Sequence, residues 1–573
     1  MPSSKYYRWA LPAFCWLVAL WMLFFRLGDF PLMEPDEGRN AEVSREMLNS
    51  GSWLVPTLDG IPYLDKPAFF FRSVALAMSF FGQNEMAARL PSALSGLAIL
   101  VMLFGFCRRH YGEPAASLAV LVAATTPFLF AFSRLVIMDT MLGLFTCASI
   151  FAACLAEEAE ARAEPRARRF WYLASAAAAG CGTLVKGPVG FLIPALVVTI
   201  FNWVDGRGGA IRRCFAPLNI VVFFAVVLPW FIALCVRHPD FASYGLVEES
   251  LRRFTSGGAF RHAEPFYYYV PVVIAGFFPW SLLFPESILF AWKRRARWTS
   301  PDCLFIVWAL VTIVFFSFSR TKQPAYVLTT IVALAALVGR FVGYALERRD
   351  TSAGRLIRRA LLVWVVVCGL LSVTAGFVAS GSRVPGVERG QPVIVPVALV
   401  VALAAITLIA ALGFWRRSIL LGAVSFALFS FCLITAAFPT LEAYTRMRST
   451  RDLARELAGL PPGTEIVSYH CFPASLAFYQ RRFLPMSDTG GTPEQMRSNY
   501  ILALWKRGAL QSEMVLDVNH LDAWADAKRR PVFVITNSTG RYWLGVMAAA
   551  EGFPVRNIAP GWWGFLIPAQ GGH

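Results

Sequence analysis

Runs of about 18 or more nearly uncharged residues, each long enough to cross a hydrocarbon core, recur as far as residue 438. They fall at roughly 9–27, 86–106, 115–133, 140–156, 170–185, 188–203, 216–236, 267–291, 303–319, 324–345, 360–380, 393–414 and 418–438, and predict about thirteen membrane-spanning helices. A further apolar stretch at 68–82 is short for a span and fits an interfacial or re-entrant piece equally well. The first run follows Lys5 and Arg8 as in a signal peptide. It is long, bounded by aromatics and followed by no small-residue cleavage site, so it reads as a retained span. From about Thr440 the chain alternates between helix-like and strand-like pieces. STRDLARELAGL is helical, TEIVSYH is followed by LAFYQ, a helix-like segment runs from Pro493 to Arg507, EMVLDV precedes another ending at Arg530, and PVFVITN closes the series. The expected fold class is therefore a polytopic α-helical membrane protein. A transmembrane domain over 1–438 includes an outer loop with interfacial helices over 28–82, and a small α/β domain over 439–573 lies outside the membrane.

Composition agrees with a bilayer. Of 573 residues, 57% are hydrophobic and 16% charged, and the mean hydropathy is +0.54, well above soluble domains. Most of the eleven cysteines (Cys15, Cys147, Cys154, Cys181, Cys235, Cys368 and Cys432 among them) lie in apolar runs and act as small hydrophobes, so no disulfide framework is implied. There is no CxxC or HExxH, and His470 and Cys471 are neighbours on an expected strand, pointing to opposite faces, which argues against structural zinc.

Alternate loops are basic: Arg108 and Arg109; Arg166, Arg168 and Arg169; Arg207, Arg212 and Arg213; Lys293, Arg294, Arg295 and Arg297; Arg348, Arg349, Arg355, Arg358 and Arg359; Arg416 and Arg417. The positive-inside rule makes these cytoplasmic, with the N-terminus inside and everything after Phe438 outside. The net charge of +17 is thus partly topological. Nucleic-acid binding would want one basic face on a soluble module, which is not seen.

The remaining loops carry fewer charges, gathered at span ends among aromatics and prolines: Asp36, Glu37 and Arg39; Asp65 and Lys66; Arg134 and Asp139; Lys186; Arg252, Arg253 and Arg261; Arg320 and Lys322. In MEPDEGRNAEVSREML, Asp36 is either a helix N-cap or a carboxylate at the mouth of a membrane cavity, with Glu37 as a candidate partner for the helix dipole. The stretch has an apolar stripe of Val43, Met47 and Leu48, as in a helix lying in the interface. Lys66 is either a snorkelling lysine or part of a rigid group with Tyr63 and Asp65 between Pro62 and Pro67. Arg134, Asp139, Lys186, Arg320, Lys322 and Tyr326 repeat the theme in short connections, where charges close to hydrocarbon face a cavity or a partner. A lipid phosphate explains the whole set: its chain stays in the bilayer while cations at span ends hold its headgroup. The C-terminal domain lacks a phosphate loop or nucleotide fingerprint.

At these residues the chain resembles the aminoarabinose transferase family, GT-C glycosyltransferases related to protein O-mannosyltransferases. The matching stretches are DEGRNAEVSREML, DGIPYLDKPAFFF, RLPSALSG, MDTMLGLF, LVKGPVGF, RRFTS with EPFYYYVPV, and SRTKQPAYVL. They cover most of the membrane part in order. The resemblance implies a GT-C fold in a bacterial inner membrane, with transfer of 4-amino-4-deoxy-L-arabinose from undecaprenyl phosphate to lipid A phosphates on the periplasmic side. It implies Asp36, Asp139 and Lys66 as catalytic positions. Glu37, Arg39, Tyr63, Asp65, Arg134, Lys186, Arg253, Arg320, Lys322 and Tyr326 become substrate-binding candidates. Two departures bear on a metal. Asp65 stands where glutamate is common, and Glu249 and Ser250 stand where a histidine is often found. A divalent ion, zinc or magnesium, on Asp65 is thus the only cofactor in view, and none is required.

An ionised lipid A phosphate needs little help as a nucleophile, whereas a hydroxyl acceptor needs a base. Asp36 therefore either pairs with an amino sugar or acts as that base, and Lys66, Arg134, Lys186 and Lys322 would stabilise the departing phosphate. The expected partners are the lipid-linked donor, lipid A and membrane lipids, with the protein a monomer. Rival functions are a transferase acting on protein or another envelope polymer, a lipid flippase, and a receptor with an outer sensor domain. No internal repeat of the flippase kind is evident.

Overall fold

In a computed structural model of the chain, residues 4–241, 244, 264–293, 299–348, 351–380, 397–510, 512–550 and 552–568 are described. They form two compact units, the first of Met1–Leu27, Ser92–Pro229 and Arg252–Leu441, the second of Gly28–Pro91, Trp230–Leu251 and Glu442–His573.

The described part of the first unit is helical. Across the described residues of the chain, seven helices are long and apolar enough to cross a membrane, or ten if each of three bent pairs counts as one span. Trp9–Phe24 and Val189–Val204 are apolar but shorter, as is Phe69–Phe81 in the second unit. The expected spans 115–133, 267–291 and 418–438 are not straight rods. They break into Glu113–Thr125 with Pro127–Ser133 (65°), Phe266–Gly276 with Trp280–Lys293 (104°), and Ile419–Thr435 with Phe438–Met447 (50°). Pro127, Pro279 and Pro439 sit at or just after the breaks, where a missing N–H and the ring's clash with the preceding turn stop one helix and suit the start of the next. Groups freed at the first break are satisfied inside the protein, as a bilayer demands. The Thr125 carbonyl accepts the Ser430 hydroxyl, and Trp280 Nε1 donates to Thr125 Oγ1 at 2.9 Å. Trp280 then stacks on Phe426, and Phe426 on Trp364, at 5.3 and 5.2 Å, inside a core of buried aliphatic and aromatic side chains.

Small residues set the closest helix approaches in this unit. Gly339 and Gly343 form one face of the helix Leu328–Arg348. A Cβ on them would lie 2.5 Å from Ala119 N and 2.7 Å from Ala115 Cα of the facing helix, the small-xxx-small contact of membrane helices.

The second unit contains the expected α/β fold. Strands β3 (Glu465–Tyr469), β4 (Met486–Asp488), β5 (Val515–Asp517), β6 (Val532–Asn537), β7 (Arg556–Ala559) and β8 (Trp562–Ile567) form one sheet in the order β5-β4-β3-β6-β8-β7. The first four positions are parallel and β8 and β7 are antiparallel. LAFYQ belongs to a helix, Ala474–Gln480. β3 ends at Tyr469, so His470 is not on a strand. It takes a left-handed φ of 51° with Nδ1 2.5 Å from Asp488 Oδ1.

The helix Asp36–Ser50 belongs to this unit, and its expected interfacial character is corrected. Its polar face is buried as well as its apolar one, including Glu42, Arg45 and Glu46. Glu42 pairs with Arg45 at 2.6 Å. Glu46 accepts from Thr57 Oγ1 and the Asp59 and Gly60 amides in the hairpin of β1 (Thr57–Leu58) and β2 (Ile61–Pro62). That hairpin turns on Asp59-Gly60, both at positive φ, the Asp-Gly signal for a two-residue loop. Leu484 N donates to Asp59 Oδ1 at 2.6 Å, and Asp59 Oδ2 is buried without a hydrogen-bond partner among the described residues. Burial pushes the Asp59 carboxyl up to about 7. Gly38 lets Asp36–Ser50 approach Ala474–Gln480, since a Cβ there would lie 2.7 Å from Ser475 N.

Candidate functional site

In the first unit, Asp139 is the first residue of the helix Asp139–Ala161 and Lys186 the last of Pro165–Lys186. An acid at a helix N-terminus and a base at a C-terminus are each favoured by the helix dipole. The two meet, with Lys186 Nζ 2.5 Å from Asp139 Oδ1 and both side chains about nine-tenths buried (12% and 10% exposed). The Lys186 ammonium also lies 4.8 Å from the centroid of the Tyr326 ring. Backbone geometry fixes the lysine. Gly187 reverses the chain at φ 83°, Pro188 precedes the helix Val189–Val204, and Gly190 rests against the Gly182 backbone so closely that a Cβ there would overlap it. The result is a nearly buried cation, a carboxylate and a phenol at the junction of helix ends, able to offer N–H and O–H donors to an anion.

Lys322 is buried beside this region of sequence and donates to the Ser319 and Glu264 carbonyls at 2.6 and 3.0 Å. It ties its loop together with two of three N–H groups. Arg320 is exposed.

In the second unit, Asp36 opens its helix but caps nothing; Pro35 is the N-cap, with no side-chain cap bond. The Asp36 side chain is 61% exposed and accepts from Arg39 Nη2 at 2.6 Å. Arg39 reaches towards the Arg497 carbonyl at 3.4 Å and lies 5.9 Å from the Tyr63 ring. Lys66 is half-buried and donates to the Asp65 carbonyl at 2.8 Å.

A family profile described as Dolichyl-phosphate-mannose-protein mannosyltransferase matches residues 9–245. An undecaprenyl phosphate-alpha-4-amino-4-deoxy-L-arabinose arabinosyl transferase of Pseudomonas fluorescens (strain Pf0-1) is 31% identical over 357 residues, 61% of this chain and 60% of the relative. The one from Serratia proteamaculans (strain 568) is 32% identical over 57% of this chain and 59% of its own. The chain thus spans about 60% of the length of the curated relatives it matches. The crystal structure of ArnT from Cupriavidus metallidurans bound to undecaprenyl phosphate aligns over 97% of both chains, with a TM-score of 0.79 and 26% identity. In sequence and in fold alike, the chain is similar to ArnT. It is a polytopic helical membrane protein with seven to ten candidate spans among the described residues and a C-terminal domain built on a sheet.

Three of the expected substrate-binding residues make structural contacts within the chain. Glu37 is 3% exposed and forms a two-pronged pair with Arg89, Nε to Oε1 and Nη2 to Oε2, both 2.9 Å. Arg89 also donates to the Phe30 and Pro31 carbonyls, so the pair clamps the loop ahead of Asp36. Arg134 donates to the Met22, Leu23, Phe25 and Arg26 carbonyls, satisfying the end of the helix Ser4–Phe24. Asp65 accepts from Tyr244 Oη at 2.5 Å and from the Asn499 and Tyr500 amides at 3.1 and 2.8 Å. It holds the N-terminus of the helix Asn499–Lys506. Both Asp65 oxygens are thus engaged, and among the described residues no three His, Cys, Asp or Glu side chains gather to hold a metal ion. Tyr63 is buried in the same unit. Arg253, Glu249 and Ser250 lie outside the described residues. Sequence reasoning passed over Arg89, although it opens RLPSALSG, and over Gly182 and Gly190. A buried arginine in that stretch and the paired glycines around Lys186 were the available signals.

Proposed function

We propose that the chain transfers 4-amino-4-deoxy-L-arabinose, or a closely related sugar, from undecaprenyl phosphate to a phosphate of lipid A at the outer face of the bacterial inner membrane. The observation that carries this reading is the likeness over 97% of both chains to ArnT bound to undecaprenyl phosphate. In this reading all thirteen expected spans cross, the N-terminus is cytoplasmic and the C-terminal domain periplasmic. Lys186, held by Asp139 and backed by the Tyr326 ring, stabilises the negative charge that grows on the departing polyprenyl phosphate. Lys66 assists as a second cation. Asp36, exposed and paired with Arg39 of its own helix, pairs with the amino group of the sugar, because an ionised acceptor phosphate attacks without a base. Attack in line with the leaving group inverts the anomeric centre.

Mass spectrometry of lipid A from cells with and without this protein tests the reading directly. A mass increment of one amino-pentose that requires the protein supports it, and unmodified lipid A in both would defeat it. The profile match over 9–245 favours one second reading, a hydroxyl acceptor on a protein. There Asp36 would be the general base, and the increment would appear on protein.

A further inference from the structure

In the second unit, three helices link consecutive parallel strands: Ala474–Gln480 runs from β3 to β4, Asn499–Lys506 from β4 to β5, and Leu521–Lys528 from β5 to β6. Each therefore ends where the next strand begins, on one edge of the sheet. Each also ends in two consecutive cations: Arg481 and Arg482, Lys506 and Arg507, Arg529 and Arg530. A helix C-terminus attracts positive charge through its dipole, which accounts for a base in the last turn. It does not account for Arg481 and Arg529, which lie one residue past their helices at left-handed φ of 55° and 51°. Glycine takes that position without steric cost, whereas a Cβ there crowds the following carbonyl. The dipole gain at an exposed end does not exceed that cost, so stability alone would favour glycine at both.

Arg481, Lys506, Arg507, Arg529 and Arg530 are exposed. Arg482 is half-buried and donates to the Thr464 carbonyl at 3.0 Å, and Arg530 lies 3.9 Å from Glu465. Phe483 and Trp505, next to these cations in the chain, are exposed as well. The helix ends precede β4, β5 and β6, and β5 and β6 stand three strand spacings, about 14 Å, apart. The charge is thus spread along an edge, which fits a charged surface better than a single headgroup.

This edge is also tied to chain that meets the bilayer. Leu484 N donates to Asp59 Oδ1 at 2.6 Å, and Phe483 packs over Gly60, where a Cβ would lie 3.6 Å from its ring. In the loop ahead of that hairpin, the Leu54 carbonyl accepts from Trp230 Nε1 at 3.1 Å. Trp230 lies on Pro217–Arg237, a helix long and apolar enough to cross a membrane. The Trp53 carbonyl accepts from Arg72 Nε at 2.5 Å, and the helix that carries Arg72, Phe69–Phe81, exposes Leu76, Phe80 and Phe81.

We propose that this basic edge is a docking surface for the anionic phospholipid headgroups of the leaflet beside it, with Phe483 and Trp505 at headgroup level. Clustered Lys and Arg beside a membrane are drawn to anionic lipid, and aromatic side chains favour its interface. The residues have no part in the proposed transfer, so the surface stands whether or not that reading holds.

Amide hydrogen exchange of the full chain tests it, in nanodiscs of phosphatidylcholine alone or mixed with phosphatidylglycerol. Exchange at 481–484, 506–509 and 529–532 should be slower in the mixture, and the difference should vanish at high salt. Each neutralised cation should reduce that protection about fivefold. Arg481→Gly and Arg529→Gly are the decisive variants. They relieve the left-handed strain, so thermal unfolding should occur at or above the wild-type temperature while protection falls. Lys506→Gln and Arg530→Gln, at exposed side chains, carry the same expectation for protection should a glycine variant fail to fold. Equal exchange in the two lipid compositions, or undiminished protection in the folded variants, would overturn the surface. Protection that appears with lipid A added to phosphatidylcholine, and not with phosphatidylglycerol, would also overturn it and make the edge a reader of that glycolipid.

Discussion

Replacing Asp36 by asparagine removes a carboxylate that is largely in solvent and bonded to Arg39. With its acid largely in solvent, the pair contributes on the order of 1 kcal/mol, although Arg39 itself is only 15% exposed. The variant should therefore unfold at nearly the wild-type temperature while transfer to lipid A falls at least about a hundredfold; unchanged transfer in a reconstituted assay would remove Asp36 from the mechanism. The neighbouring change, Glu37→Gln, should do the reverse. It takes the compensating carboxylate from the buried Arg89 guanidinium, which costs about 3–5 kcal/mol, and thermal unfolding in detergent would read the loss. The pairing of Asp139 with Lys186 could be anticipated from the sequence only as two ionisable groups beside hydrocarbon, which are rare. Glu37, Arg134 and Asp65 look the same in a linear string. Their partners are Arg89, the end of the first helix, and the amides of Asn499 and Tyr500, so nothing local distinguishes a carboxylate that meets a ligand from one that meets a backbone.

At the scale of elements, the turn that carries Lys186 depends on two glycines of unequal importance. A methyl on Gly190 would collide with the Gly182 backbone, whereas one on Gly182 would sit 3.2 Å from the Gly190 carbonyl oxygen. Gly190→Ala should therefore cost roughly 1–3 kcal/mol and weaken binding of the donor lipid, with Gly182→Ala much milder. Equal effects in a side-by-side thermal melt and lipid-binding measurement would contradict the packing. The positions of most spans were readable from length and hydropathy, since those quantities register hydrocarbon and little else. The three bends were not. A sum of apolarity over 267–291 is blind to Pro279, and only the course of the main chain reveals that the run turns by 104°.

At the scale of the molecule, buried acids make the second unit sensitive to pH. Asp59 has its carboxyl raised from the usual aspartate range to about 7 by burial. Between those limits the unfolded chain loses a proton that the folded chain keeps. The contribution of Asp59 to stability is thus full below about pH 4, falls as pH rises, and is lost above about 7. Asp59→Asn should reduce the slope in melts between pH 5 and 8 by this share, leaving the parts due to Glu34 and Glu42, which burial pushes up to about 7 and about 8; a slope equal to the wild type would assign no part of it to Asp59. The sheet of the second unit was partly visible beforehand as β3, β5 and β6. Its union with 28–91 was not, because the contacts that make it, such as Leu484 N to Asp59 Oδ1, join residues 425 apart. That separation has a consequence for biogenesis. At roughly 5–20 residues per second, a ribosome takes on the order of half a minute or more to deliver Leu484 after Asp59 has emerged. For that interval the first loop waits half-built, its acids unsheathed, and a prematurely terminated chain would leave it permanently open to proteases.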